Sequence, residues 1–108
     1  MRTVILDRDH PGYEGPQLDE RLRRRQAGHL AARLREYNGF GIENVTVSDD
    51  GVVTARIGTH NGQVAACLLA ERNVFCEWVG ETVVFAIGAH TCFEELDWVQ
   101  AAASELLQ

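Results

Sequence analysis

Hydrophobic positions follow two rhythms along this chain, and the rhythms alternate. Between residues 17 and 38 the spacing is helical: Leu18, Leu22, Ala27, Leu30, Ala31 and Leu34 fall on one stripe, with arginines opposite. Pro16 suits a first helical turn, and Asn38-Gly39 supplies a stop. Alternation by twos then takes over. Val45 and Val47 alternate with polar residues, Ser48-Asp49-Asp50-Gly51 has turn chemistry, and residues 52–57 resume the strand, which predicts a hairpin. Residues 63–72 return to the helical period, with Asn61 as cap and Asn73 at the end. Val64, Ala65, Cys67 and Leu68 are expected to face a sheet. Residues 74–79 read as a strand, Gly80-Glu81 as a two-residue type II′ loop, and residues 82–87 as the antiparallel return. Val83-Val84-Phe85-Ala86-Ile87 is apolar throughout, the signature of a central strand covered on both faces. Thr91-Cys92-Phe93-Glu94 reads as a capping box opening a helix to about residue 107, with Phe93, Leu96, Val99, Ala103 and Leu106 inward.

The expected order is therefore α-β-β-α-β-β-α. It predicts an α+β fold with an antiparallel sheet of about four strands and helices packed on one face. Residues 17–108 form one such domain, and residues 1–16 an extended N-terminal arm. Thr3-Val4-Ile5-Leu6 suits a short strand, and Pro11, Gly12, Gly15 and Pro16 then break regular structure, so the arm either adds an edge strand or lies on a partner. The strand at 74–79 puts Cys76 and Trp78 on one face and Phe75, Glu77 and Val79 on the other. Both faces cannot be core when helices cover one side only. A second copy or a partner covering Phe75, Trp78 and Val79 is the expected solution, with the arm folding over that face as the alternative.

Composition narrows the function classes. The 108 residues are 45% hydrophobic and carry a net charge of −6, which disfavours general nucleic-acid binding. The arginines at 21, 23, 24, 25, 33 and 35 are interspersed with Asp19, Glu20 and Glu36 and read as a solvated helix face. No apolar run is long enough to span a bilayer, and the opening MRTVILDRDH lacks the apolar core of a signal peptide, so a cytoplasmic setting is expected. Cys67, Cys76 and Cys92 are odd in number and lack CxxC spacing, which points to buried, reduced thiols.

Candidate chemistry is sparse. His60 and His90 each lie in a turn entering a helix. If their strands are neighbours, the two meet at one sheet edge with Cys92, a zinc-type constellation that makes a small-molecule or metal-binding module the alternative function. Loop histidines bonded to backbone are the plain alternative. Cys92 at a helix start, with His90 as base, is a candidate reactive thiol. His10 reads as an arm residue and His29 as a helix-surface residue. Gly39-Phe40-Gly41 lacks the flanking strand and helix of a dinucleotide fingerprint. No catalytic or cofactor-binding set assembles.

The element order and the run Val83-Val84-Phe85-Ala86-Ile87-Gly88-Ala89-His90-Thr91, followed by Glu94-Glu95-Leu96-Asp97, resemble the small C-terminal domain of class V aminotransferases and cysteine desulfurases. These are pyridoxal-phosphate enzymes of fold type I, and the resemblance covers roughly residues 20–108. It implies aminotransferase or desulfurase ancestry, but the catalytic large domain has no counterpart here. All ten basic residues are arginine, so no lysine can hold the cofactor as a Schiff base. The arginine with which the family clamps a substrate carboxylate maps to Val84 or its neighbour Val83. The resemblance thus implies a non-catalytic domain without a cofactor, paired with itself as a homodimer or with a separately encoded pyridoxal-phosphate domain.

Overall fold

Two hairpins make the middle of the sheet. In the structure, a computed structural model that describes residues 3–107, β2 (Ile42–Val47) and β3 (Val52–Ile57) turn through residues 48–51. Gly51 takes φ +76°, and its N–H donates to the Ser48 carbonyl at 3.1 Å. β4 (Val74–Val79) and β5 (Thr82–Ala86) turn through Gly80-Glu81. Only Gly80 has positive φ there, at +57°, as a type II′ loop requires. β5 pairs antiparallel with both β3 and β4, so the apolar strand is central.

A fifth strand completes the sheet. β1 (Val4–Leu6) lies parallel to β4, pairing Val4 with Val74 and Leu6 with Cys76, and the order is β1-β4-β5-β3-β2. The expected α+β class holds. The difference from about four strands is that residues 4–6 join the edge and bring the single parallel pair.

α1 (Glu20–Arg35), α2 (Gly62–Ala70) and α3 (Phe93–Glu105) supply the helical layer. α1 starts later than its apolar spacing predicts, because residues 16–18 are tied elsewhere. Pro16 bridges to Gly88, and the Gln17 side-chain amide donates to the Ala89 carbonyl at 3.0 Å. Leu18 is consequently 85% exposed rather than on the core stripe. Asp19 is the cap instead, its carboxylate accepting from the Leu22 N–H at 3.0 Å. Asn61 caps α2 as expected, accepting from the Val64 N–H at 2.8 Å. The buried face of α2 is Ala65, Ala66 and Leu69, so Val64 and Cys67 point outward, not at the sheet. The α3 capping box is displaced by one residue: the Thr91 hydroxyl accepts from the Gly88 N–H, and Glu95 accepts from the Cys92 N–H, both at 3.0 Å.

The core lies between sheet and helices, with Val53, Ala55, Ile57, Val83 and Phe85 meeting Leu30, Leu34, Leu69, Leu96 and Val99. Val84 and Ala86 lie on the opposite face of β5 and are also buried. There the cover comes from residues 7–16, which fold back across the sheet. Arg8 binds Glu77 on β4, His10 sits 4.8 Å from the Phe75 ring, and Tyr13 reaches the Ile87 carbonyl at 3.3 Å.

Gly62 marks where α2 meets the β4–β5 hairpin. Its N–H donates to the Gly80 carbonyl at 3.0 Å, and a Cβ there would lie 2.6 Å from the Thr82 carbonyl oxygen. Gly62→Ala is expected to destabilise the fold by about 1–3 kcal/mol through overpacking. Gly28, inside α1 with nothing near its missing Cβ, should give the opposite sign on Gly28→Ala, a gain of about 0.5–1 kcal/mol. Urea unfolding of the two variants checks both.

Candidate functional site

The histidines and the cysteine singled out in the sequence do not converge. The His60 imidazole lies 3.4 Å from the Leu106 carbonyl, at the carboxyl end of α3. His90 and Cys92 precede its amino end, and the 13 residues between span about 20 Å at 1.5 Å each. Among the described residues, no three His, Cys, Asp or Glu side chains are placed to hold a metal ion. His29 bridges α1 to α3, 2.7 Å from Asp97 and edge-on to Phe93 at 5.2 Å.

The thiols differ in setting. Cys76 is buried beneath the helices, and its pKa is pushed up to about 12, chiefly by burial, with the charges of Asp7 and Glu77 adding. A neutral thiol there is no nucleophile at physiological pH. Cys67 is exposed on α2, against the expectation of burial, because the small face of that helix meets the sheet instead.

What the fold does bring together is the arm and the loop after β5. The Gly15 carbonyl accepts from the Ala89 N–H at 2.8 Å, and Glu14 lies 3.0 Å from the His90 imidazole. Tyr13 stands between two recesses. One, of about 200 Å³, lies toward His90, Thr91 and Glu95. The other, of about 270 Å³, lies over Val52 and Ala86. Burial raises the Tyr13 pKa, so its hydroxyl stays protonated. Of the residues in this cluster, His90 was legible as a candidate. Arg8, Tyr13 and Glu14 carry no spacing signal, and the one hint was polar and aromatic residues interleaved with turn formers at 8–16.

Chemically this arrangement can bind and position. Its carboxylate–imidazole pair, Glu14 with His90, is largely exposed, and the Thr91 hydroxyl next to it is engaged by Gly88. It does not fit pyridoxal phosphate. Glu14 and Glu95 flank the recess near His90 and repel a phosphate. Val83 and Val84 are buried where an arginine clamp is expected, and no lysine exists to form the aldimine.

No known protein family matches the sequence, and no curated protein matches it. Solved structures do. A transaminase structure with L-alanine superposes with a TM-score of 0.65 at 20% identity, covering 83% of this chain and 25% of that one. A single-residue variant transaminase with SMBA gives a TM-score of 0.64 at 20% identity, covering 83% and 24%. This chain therefore spans about a quarter of those transaminase chains. The likeness is one of fold, that of a transaminase-like C-terminal domain.

The Arg8–Glu77 contact fixes the arm and should titrate. The Glu77 carboxylate accepts from Arg8 Nε at 2.7 Å, Nη2 at 2.9 Å and the backbone N–H at 3.1 Å. The side-chain bonds from Arg8 hold its pKa below the usual 4.5. A depressed carboxylate pKa contributes stability that is present above the unfolded value and lost as pH falls through the folded one. Carboxyl-carbon NMR should thus find the Glu77 midpoint below 4.5, and Arg8→Ala should move it upward. Arg8 is half exposed, so the loss in stability at neutral pH should stay near about 1 kcal/mol.

Proposed function

We propose that this chain is a non-catalytic domain of transaminase-like C-terminal fold that acts by association, either with a second copy of itself or with a separate domain that binds pyridoxal phosphate. The observation that carries the reading is apolar exposure at one end of the molecule. Trp78 is 46% and Val79 69% exposed at the end of β4, and Val64 is 43% exposed on the first turn of α2, which Gly62 holds against that hairpin. A half-exposed tryptophan and two exposed valines, spread over the β4–β5 hairpin end and the start of α2, are residue types that interfaces bury. Phe75 belongs to the same strand but lies under His10, so it joins such an interface only if the arm withdraws.

Two further observations support the reading. The chain has no lysine to anchor an aldehyde cofactor, so a lysine-based cofactor site would come from the partner. The run at residues 83–97 resembles that of class V aminotransferases and cysteine desulfurases, which supports an affinity with them. Among the described residues no helix is long and apolar enough to cross a membrane, and three free cysteines suit a reducing cytoplasmic setting.

Light scattering tests the association. The unsubstituted chain should have the mass of a dimer, or form a complex of defined stoichiometry with a pyridoxal-phosphate domain lacking its own small domain. Trp78→Glu together with Val79→Glu should weaken that contact by about 2 kcal/mol or more, roughly thirtyfold in Kd. A chain that stays monomeric and captures no such domain sinks the proposal.

A further inference from the structure

Three arginines of this fold have an Nε shielded from solvent and without a hydrogen-bond acceptor: Arg23, Arg33 and Arg56. Two of them still face carboxylates. Arg33 lies 3.6 Å from Asp97, and Arg56 lies 3.2 Å from Glu81. Arg23 has no ion pair among the described residues, and its side chain makes one hydrogen bond, from Nη1 to the Gln17 carbonyl at 3.3 Å. A guanidinium N–H withdrawn from water without an acceptor is costly, and an anion brought to it offsets that cost.

Arg23 is also held in place. Gly51, at φ +76°, leaves room for its stem; a Cβ there would stand 2.5 Å from Arg23 Cγ and 2.9 Å from Cδ. The side chain forms one wall of the recess of about 270 Å³ between the arm and the outer sheet face. Val52 and Ala86 from the sheet, with Pro16, give this recess apolar surface, and Arg8 and Asp50 also border it. Arg8 is already neutralised by its two-pronged contact with Glu77. That leaves Arg23 and Asp50, one charge of each sign, bordering the recess without an ion pair among the described residues.

We propose that this recess binds a small organic monocarboxylate, with the carboxylate on the Arg23 guanidinium and a short apolar body against Val52, Ala86 and Pro16. A planar carboxylate matches the guanidinium fork. Asp50 opposes a second negative charge, which disfavours phosphate. At roughly 30 Å³ per water, the volume equals about nine waters and limits the ligand to a few heavy atoms. The site uses different residues from the association surface at Trp78 and Val79, so either proposal stands or falls alone.

NMR titration of the full chain with sodium butyrate, sodium phosphate and uncharged butyramide, at matched ionic strength, tests it. Butyrate should give saturable shifts at the Tyr13, Val52 and Ala86 amides and at the Arg23 Nε–H, and the other two probes should not. Arg23→Gln should weaken butyrate binding by roughly tenfold or more, whereas Arg21→Gln, on the exposed face of α1, should leave it unchanged. Asp50→Asn, in an exposed turn, gives a readout that does not depend on Arg23→Gln folding: butyrate should bind a few-fold more tightly. Phosphate binding as tightly as butyrate, shifts that do not saturate, or butyrate affinity indifferent to Asp50→Asn would overturn the assignment.

Discussion

β5 is apolar on both faces, and much of this molecule's architecture answers to that fact. Helices can shield only one side of a sheet this small, and they shield Val83 and Phe85. Val84 and Ala86 must be closed off from the other side. Residues 7–16 do this with little hydrophobic mass of their own. They are held by polar anchors: Arg8 on Glu77, the Tyr13 hydroxyl on the Ile87 carbonyl, and the Ala89 N–H on the Gly15 carbonyl. A cover fastened by hydrogen bonds rather than by packing leaves recesses beside it, and two flank Tyr13.

The same arrangement bears on association. A partner approaching the outer face meets the arm before it meets Phe75, and would have to displace the Arg8–Glu77 contact to reach the sheet. Trp78 and Val79 need no displacement, since β4 runs beyond the three residues that pair with β1. Apolar contact is therefore available at the hairpin end, while the face that helices do not cover is already occupied from within the chain. Transaminase structures share this fold over a quarter of their length.

Much of the fold was legible because its determinants are local. The Asn61 cap, the type II′ loop at Gly80, the Gly51 turn and the apolar run of β5 all act within a few residues. Departures came where distant groups competed for the same atoms. Pro16 and Gln17 look like the first turn of a helix, but the loop after β5 claims their hydrogen bonds and leaves Leu18 in solvent. The Thr91 hydroxyl is a good cap by composition, yet Gly88 engages it and Cys92 takes the position. Val64 and Cys67 satisfy a helical stripe, but close packing of Gly62 on the hairpin turns the alanine face inward.

By itself the sequence determined which elements form and one chemical exclusion: ten arginines and no lysine forbid a lysine Schiff base on this chain, whatever its shape. Tertiary structure alone decided the rest. It put His60 and His90 at opposite ends of α3, laid the arm on the outer face, and left the Arg23 Nε without an acceptor beside a recess. The physical reason is range. Propensity, capping and turn chemistry act over a few bonds, whereas burial and ion pairing depend on groups that only the closed chain brings together, as Arg8 and Glu77 are across a separation of 69 residues.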